Sequence, residues 1–114
     1  MSASVQSWIR QAAATPGVLA CGLRKADRSI AVRCSSPELT ATQFEKTMAK
    51  LFEAIQTLQQ NQIHTDRVRW SFETVHLHCA APPGGMMAVV LVNKDGADDT
   101  QIDHLLAWAP LTAN

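Results

Sequence analysis

The residues with the widest chemical reach in this chain are His76, His78 and Cys79, because imidazole and thiolate are ordinary ligands of zinc. On a strand, however, His76 and His78 share one face and Cys79 points to the other, which leaves two ligands where a site needs three or four. His64 and His104 would have to be brought in by the fold. The expectation is solvent-facing histidines, with no metal and no other cofactor. A cysteine nucleophile needs a nearby base and an exposed, electropositive setting that lowers the thiol pKa. Cys21 and Cys34 instead fall on the apolar parity of their segments, and Cys79 shares its face with Val75 and Leu77, so core packing is expected for all three. Gly84-Gly85 follows two prolines and opens onto a strand instead of a helix, which is not the geometry of a phosphate-binding loop. Arg24, Lys25, Arg28 and Arg33 gather on one hairpin, where an acidic partner or simple solvation of the hairpin end would account for them. Trp8, Trp70 and Trp108 are too scattered for a base-stacking platform and are read as packing residues, with room for one at an interface. No catalytic set emerges, and the chain is read as non-enzymatic.

Composition narrows the classes further. The 114 residues suit one domain spanning 1–114, and ten acidic against ten basic side chains with a pI near 6.9 give no bulk attraction to nucleic acid or anionic membranes. No apolar run reaches the ~18 residues that would cross a bilayer, and no basic segment followed by an apolar run opens the chain. Three cysteines without CxxC spacing are not a disulfide framework. A cytoplasmic protein without membrane insertion is expected.

The elements that must hold these residues are centred on the stretch from Leu39 to Ile63. Phe44, Met48, Leu51, Ile55 and Leu58 step by four and three, a helical stripe, while Glu45, Lys46, Lys50, Glu53, Gln56 and Gln60 form a solvated side. Thr40 and Gln43 have capping-box spacing, and Leu39 and Phe44 stand where a hydrophobic staple closes. Ahead of this helix, Val5, Trp8, Ile9, Ala12 and Ala13 mark an amphipathic helix starting near Ser2 or Ser4 and ended by Pro16-Gly17. Val18–Lys25 and Ile30–Cys34 alternate as two strands of a hairpin around a turn at 26–29. Beyond it, Val68, Trp70 and Phe72 share one parity and Val75, Leu77 and Cys79 the other. One bent strand or two strands would satisfy that change of phase, and two are favoured. Met86–Val92 is a continuous apolar run, expected to be a central strand covered on both faces. Asp98 and Gln101 repeat the capping spacing before a last helix carrying Ile102, Leu105, Leu106 and Ala109, which Pro110 stops.

The order helix, hairpin, helix, strands, helix over this length resembles the roadblock family of dynein light-chain-like domains, and its bacterial members in particular. The resemblance is carried by Pro16-Gly17-Val18, the turn around Asp27, the Ser36-Pro37-Glu38-Leu39-Thr40 run and Phe72-Glu73. The chain departs where family members often have Asp-Gly and it has Asp27-Arg28. The resemblance implies an α+β, roadblock/profilin-like fold: a five-stranded antiparallel sheet with the first and last helices on one face and the central helix on the other. It implies a homodimer in which the strand after the central helix pairs with its symmetry mate beside two apposed central helices. It also implies a small Ras-like GTPase as partner, for which the chain is scaffold or regulator, and no catalytic residues. The rival fold is the secretion-chaperone type, which has three strands before its central helix and a strongly acidic balance, and the rival function is a secretion-chaperone-like or other assembly subunit with no GTPase partner.

Two expectations reach individual residues. Phe52, flanked at helical spacing by Ala49 and Gln56, lies off the buried stripe with no obvious place in a monomer. An isologous interface is therefore expected around Ala49, Phe52 and Gln56, with Val68 and Trp70 on the neighbouring sheet edge. In the hairpin, a symmetric turn about Asp27-Arg28 would set Cys21 opposite Cys34, with Leu19, Cys21, Leu23, Ile30, Val32 and Cys34 on one buried face and both thiols free in a reducing compartment.

Overall fold

The computed structural model describes residues 2–63, 66–82 and 85–110, with side chains from Val5 onward. Helix α1 (Ser2–Ala14) precedes the hairpin of β1 (Val18–Arg24) and β2 (Ile30–Cys34), and the long helix α2 (Ala41–Gln60) follows. Strands β3 (Arg67–Ser71), β4 (Val75–Ala80) and β5 (Met87–Asn93) then lead to α3 (Asp99–Trp108). The strands form one antiparallel sheet in the order β2-β1-β5-β4-β3, so the apolar run at Met87–Val92 is central, as its unbroken hydrophobicity implies. Two strands precede α2, which sets the secretion-chaperone arrangement aside.

Alternation along β5 divides the core into two layers. Ala88, Val90 and Val92 meet α1 and α3 through Trp8, Ile9, Ile102 and Leu106, while Met87 and Val89 meet α2 through Phe44, Met48 and Ile55. Trp8 also donates its indole N–H to the Leu105 carbonyl at 2.7 Å, tying α1 to α3 within the first layer. The capping box at the head of α2 is complete: Thr40 Oγ1 accepts from the Gln43 N–H, and Gln43 Oε1 accepts from the Thr40 N–H. These bonds satisfy two backbone donors that a helix start otherwise leaves open.

The hairpin register differs from the expected one. Cys21 stands opposite Arg33, and Cys34 opposite Ala20. The reason is the length of the loop. Arg28 N–H donates to Lys25 O and Lys25 N–H to Ser29 O, so Lys25 pairs with Ser29 instead of Ile30, three residues turn the chain, and Arg28 takes a left-handed φ of 75°. That one-residue difference shifts β2 by one position and turns its apolar side over. Cys21 and Leu23 therefore pack with α1 and α3, whereas Ile30, Val32 and Cys34 pack toward α2. The three cysteines are free, and Cys21 and Cys34 leave the sheet on opposite faces. A bulge between Val18 and Ala20 adds Leu19 as an extra residue against β5.

Glycine matters at two places. Gly22 lets α2 settle on β1, since a Cβ there would collide with Met48 Sδ. Gly17, at φ +85°, lies against the backbone of Gly96 and accepts the Asn93 N–H, locking the turn after α1 to the turn after β5. At Arg67–Ala80 there are two strands, joined by a tight turn in which Phe72 N–H donates to Val75 O.

Candidate interaction surface

The sheet order leaves β2 and β3 as edges. In β3, the bonds from Phe72 N–H to Val75 O and from Ala81 N–H to Asp66 O fix which groups face β4. By antiparallel alternation, the backbone of Val68 and Trp70 is spent on β4, and that of Arg67, Arg69 and Ser71 points away from the sheet. The side chains follow the opposite rule of faces: Val68 and Trp70 lie on the α2 side, opposite Cys79 and Leu77. Helix α2 makes its nearest contacts with β2 and β1, and its buried side chains share a core with Leu77 and Cys79 of β4, against which Trp70 packs. Val68 and Trp70 are half-buried.

Ala49 and Gln56 are exposed on α2 and Phe52 is half-buried between them. Phe52 is not homeless, contrary to the expectation from sequence. It packs on the α2-side core, and the Arg24 guanidinium lies over its ring with Cζ 3.8 Å from the centroid, a cation–π contact. The same guanidinium donates from Nη1 to the Gly85 carbonyl. Two exposed apolar residues escaped the sequence reading: Ile63, 53% exposed just after α2, and Phe72, 52% exposed just after β3. Of the two, Phe72 directly follows the edge strand β3. Phe72 carried a signal, its shared parity with Val68 and Trp70, whereas nothing local marks Ile63.

The histidine cluster is placed differently from expectation. His78 is buried at 6% exposure on the α3 side, and its Nε2 has no hydrogen-bonding partner among the described residues. Burial holds its pKa below the ordinary 6.5; Asp99 and Asp103 of α3 act against that shift, while His76 and Arg69 reinforce it. His76 is half-buried, packs edge-on to His78 with ring centroids 5.9 Å apart, and pairs through Nδ1 with Ser71 Oγ at 3.0 Å. His104 is exposed on α3, and His64 lies outside the described residues, as does the Pro83-Gly84 part of the loop before β5. Among the described residues no group of three or more His, Cys, Asp or Glu is placed to hold a metal ion. Burial pushes the Cys21 and Cys79 thiols up to about 12 and raises that of Cys34, the reverse of what a nucleophile requires. Cys34 is half-buried at the sheet edge instead of lying in the core. Of the tryptophans, Trp8 is a core residue, Trp70 is half-buried at the edge and Trp108 is 74% exposed on α3. No described helix is long and apolar enough to cross a membrane.

No protein-family model matches the sequence, and no curated protein does. Solved structures do match. The chain is similar to a Roadblock/LC7 domain from Streptomyces avermitilis, with a TM-score of 0.63 and 14% identity over 94% of this chain and 88% of that one. It is also similar to MglC from Myxococcus xanthus, with a TM-score of 0.58 and 18% identity over 94% of both chains. MglB from the same organism matches with a TM-score of 0.63 and 9% identity, over 93% of this chain and 81% of that one. The fold is roadblock-like.

Proposed function

We propose that this chain is a single-domain, non-enzymatic interaction module of the cytoplasm that forms a homodimer and serves a small Ras-like GTPase as scaffold or regulator. The observation that carries the reading is the β3 edge: by strand alternation the backbone of Arg69 and Ser71 points outward, beside Val68 and Trp70, which are half-buried on the α2 side. Such an edge invites another strand, and a two-fold copy supplies one. The symmetry mate's α2 would then come to lie against Ala49, Phe52 and Gln56. Phe72, exposed at the end of that strand, would be covered in the same step.

The GTPase assignment is supported by the roadblock-like fold together with the resemblance to bacterial roadblock proteins that partner such GTPases. A dimer of this kind acts by surface complementarity. It holds switch segments in one arrangement without placing a residue in the nucleotide site. Sedimentation of the purified chain with the source organism's Ras-like GTPases, each loaded with GDP or a non-hydrolysable GTP analogue, tests it. The expected result is a complex with one GTPase that favours one nucleotide state. Absence of a complex with every one of them in both states contradicts the GTPase role and leaves the dimer untouched.

A further inference from the structure

The second edge strand, β2, differs from β3 in chemistry. Ser35 N–H donates to Leu19 O and Lys25 N–H to Ser29 O, so by alternation Ala31 and Arg33 bond to β1, while the N–H and C=O groups of Ile30, Val32 and Cys34 point outward. Neither a proline nor a bulge blunts this edge. A groove beside it, between the end of β2 and the C-terminal half of α1, is lined by Arg10, Ala13, Ala14, Arg33, Cys34 and Ser35, with small side chains between the two arginines. Among the described residues neither arginine forms an ion pair, whereas Arg67 on the opposite edge is paired with Asp103 at 2.9 Å.

Charge is also divided along the chain. Residues 1–34 hold five basic side chains (Arg10, Arg24, Lys25, Arg28, Arg33) against one acid, Asp27, a net of +4. Residues 35–114 hold the other five basic side chains and nine acids, a net of −4, so the neutral total hides a basic segment running from α1 through β2. A charge on an edge strand repels a second copy bearing the same charge, and for the same reason it selects an occupant of opposite sign.

We propose that the β2 edge is a docking site for an extended acidic segment of a partner protein, added as a sixth strand. The register sets its pattern. Residues facing the α1 side meet Arg33 and Arg10 and are Asp or Glu; the alternating residues fall beside Val32 and Cys34 on the α2 side and are β-branched. Main-chain bonds to Ile30, Val32 and Cys34 hold the segment, and the arginines fix its face. This site is independent of the β3 edge, so failure of one does not bear on the other.

The test uses the full chain and a dye-labelled, end-blocked peptide, Val-Glu-Val-Glu-Val-Glu-Val, read by fluorescence anisotropy at low and high salt. Saturable binding that weakens with salt is expected, and the analogue with Lys in place of Glu should not bind. Arg33→Glu should weaken binding roughly tenfold or more. Val32→Pro should abolish it, since the Val32 N–H points outward and its loss spares the β1–β2 ladder. A peptide N-methylated at alternate residues tests the same main-chain bonds with the protein unaltered, and should not bind. Equal binding by Arg33→Glu, undiminished binding of the N-methylated peptide, or no binding to the native chain at millimolar peptide would overturn the proposal. Self-association of the native chain that Val32→Pro removes would also overturn it, by making a second copy the occupant.

Discussion

Arg28 is the residue on which the first hairpin's register depends, and it sits where glycine is the comfortable choice. Its φ of 75° brings the Cβ of an L-residue close to the following carbonyl, at a cost of about 1–2 kcal/mol. The turn is held by Asp27, whose Oδ1 accepts from both the N–H and the Oγ of Ser29, and these bonds keep its carboxyl below the usual range, the hydroxyl bond contributing most. Arg28→Gly should raise the stability by about 0.5–1 kcal/mol, part of the relief being offset by glycine's greater freedom when unfolded. A urea midpoint that does not move upward would show that the left-handed turn is unstrained. The second residue of consequence is His78. Its pKa is lowered in the fold, so its contribution to stability is full above the unfolded value of about 6.5 and is lost as pH falls through the folded value. Native protein should therefore lose stability on acidification from about pH 7 to 5, and His78→Leu should lose less over that window. Identical slopes for the two would mean that His78 does not supply the pH dependence. Neither residue's state was legible beforehand: the burial of His78 is imposed by α3, and the conformation of Arg28 by the closing of a three-residue loop.

At the scale of elements, what could be read from the sequence was what repeats. The stripe Phe44-Met48-Ile55 imposes a helical period, the parity change between Trp70 and Val75 calls for either a bend or a second strand, and the unbroken apolar run of β5 calls for an element covered on both faces. Strand register has no such redundancy, because one residue more in a loop reverses every side chain that follows. That is why Cys34 and Ile30 lie on the face opposite to the one expected for them while the strand itself is where it should be. Helix starts are local and were correspondingly clear. Thr40→Ala removes the Oγ1 acceptor for Gln43 N–H and should cost about 1 kcal/mol, seen as a lower thermal midpoint with an unchanged helical signal at low temperature. A loss within experimental error would mean that tertiary packing of α2, through Leu39 and Phe44, fixes its start without the cap.

For the molecule as a whole, the asymmetry of the α2 face organises the account. Helix α2 makes its nearest contacts with β2 and β1 and shares a core with Leu77 and Cys79 of β4, and beyond them Val68 and Trp70 are half-buried beside an edge that no other strand of the described residues pairs. No sequence period announces this, because it depends on where α2 lies across five strands and not on any one of them. The same asymmetry separates the two proposed contacts: an apolar, self-complementary one at β3 and a basic one at β2. Sedimentation equilibrium at tens of micromolar is the most direct test of the β3 contact. The native chain should sediment at twice its 12.4 kDa mass. Ala49→Arg, on an exposed position, and Arg69→Pro, which removes an outward N–H while sparing the β4 ladder, should each sediment at the single-chain mass with native circular dichroism. Phe52→Asp should be monomeric too, though it also severs the Arg24 contact. A native chain that sediments at 12.4 kDa under these conditions would contradict the dimer and require the β3 edge to be protected in some other way.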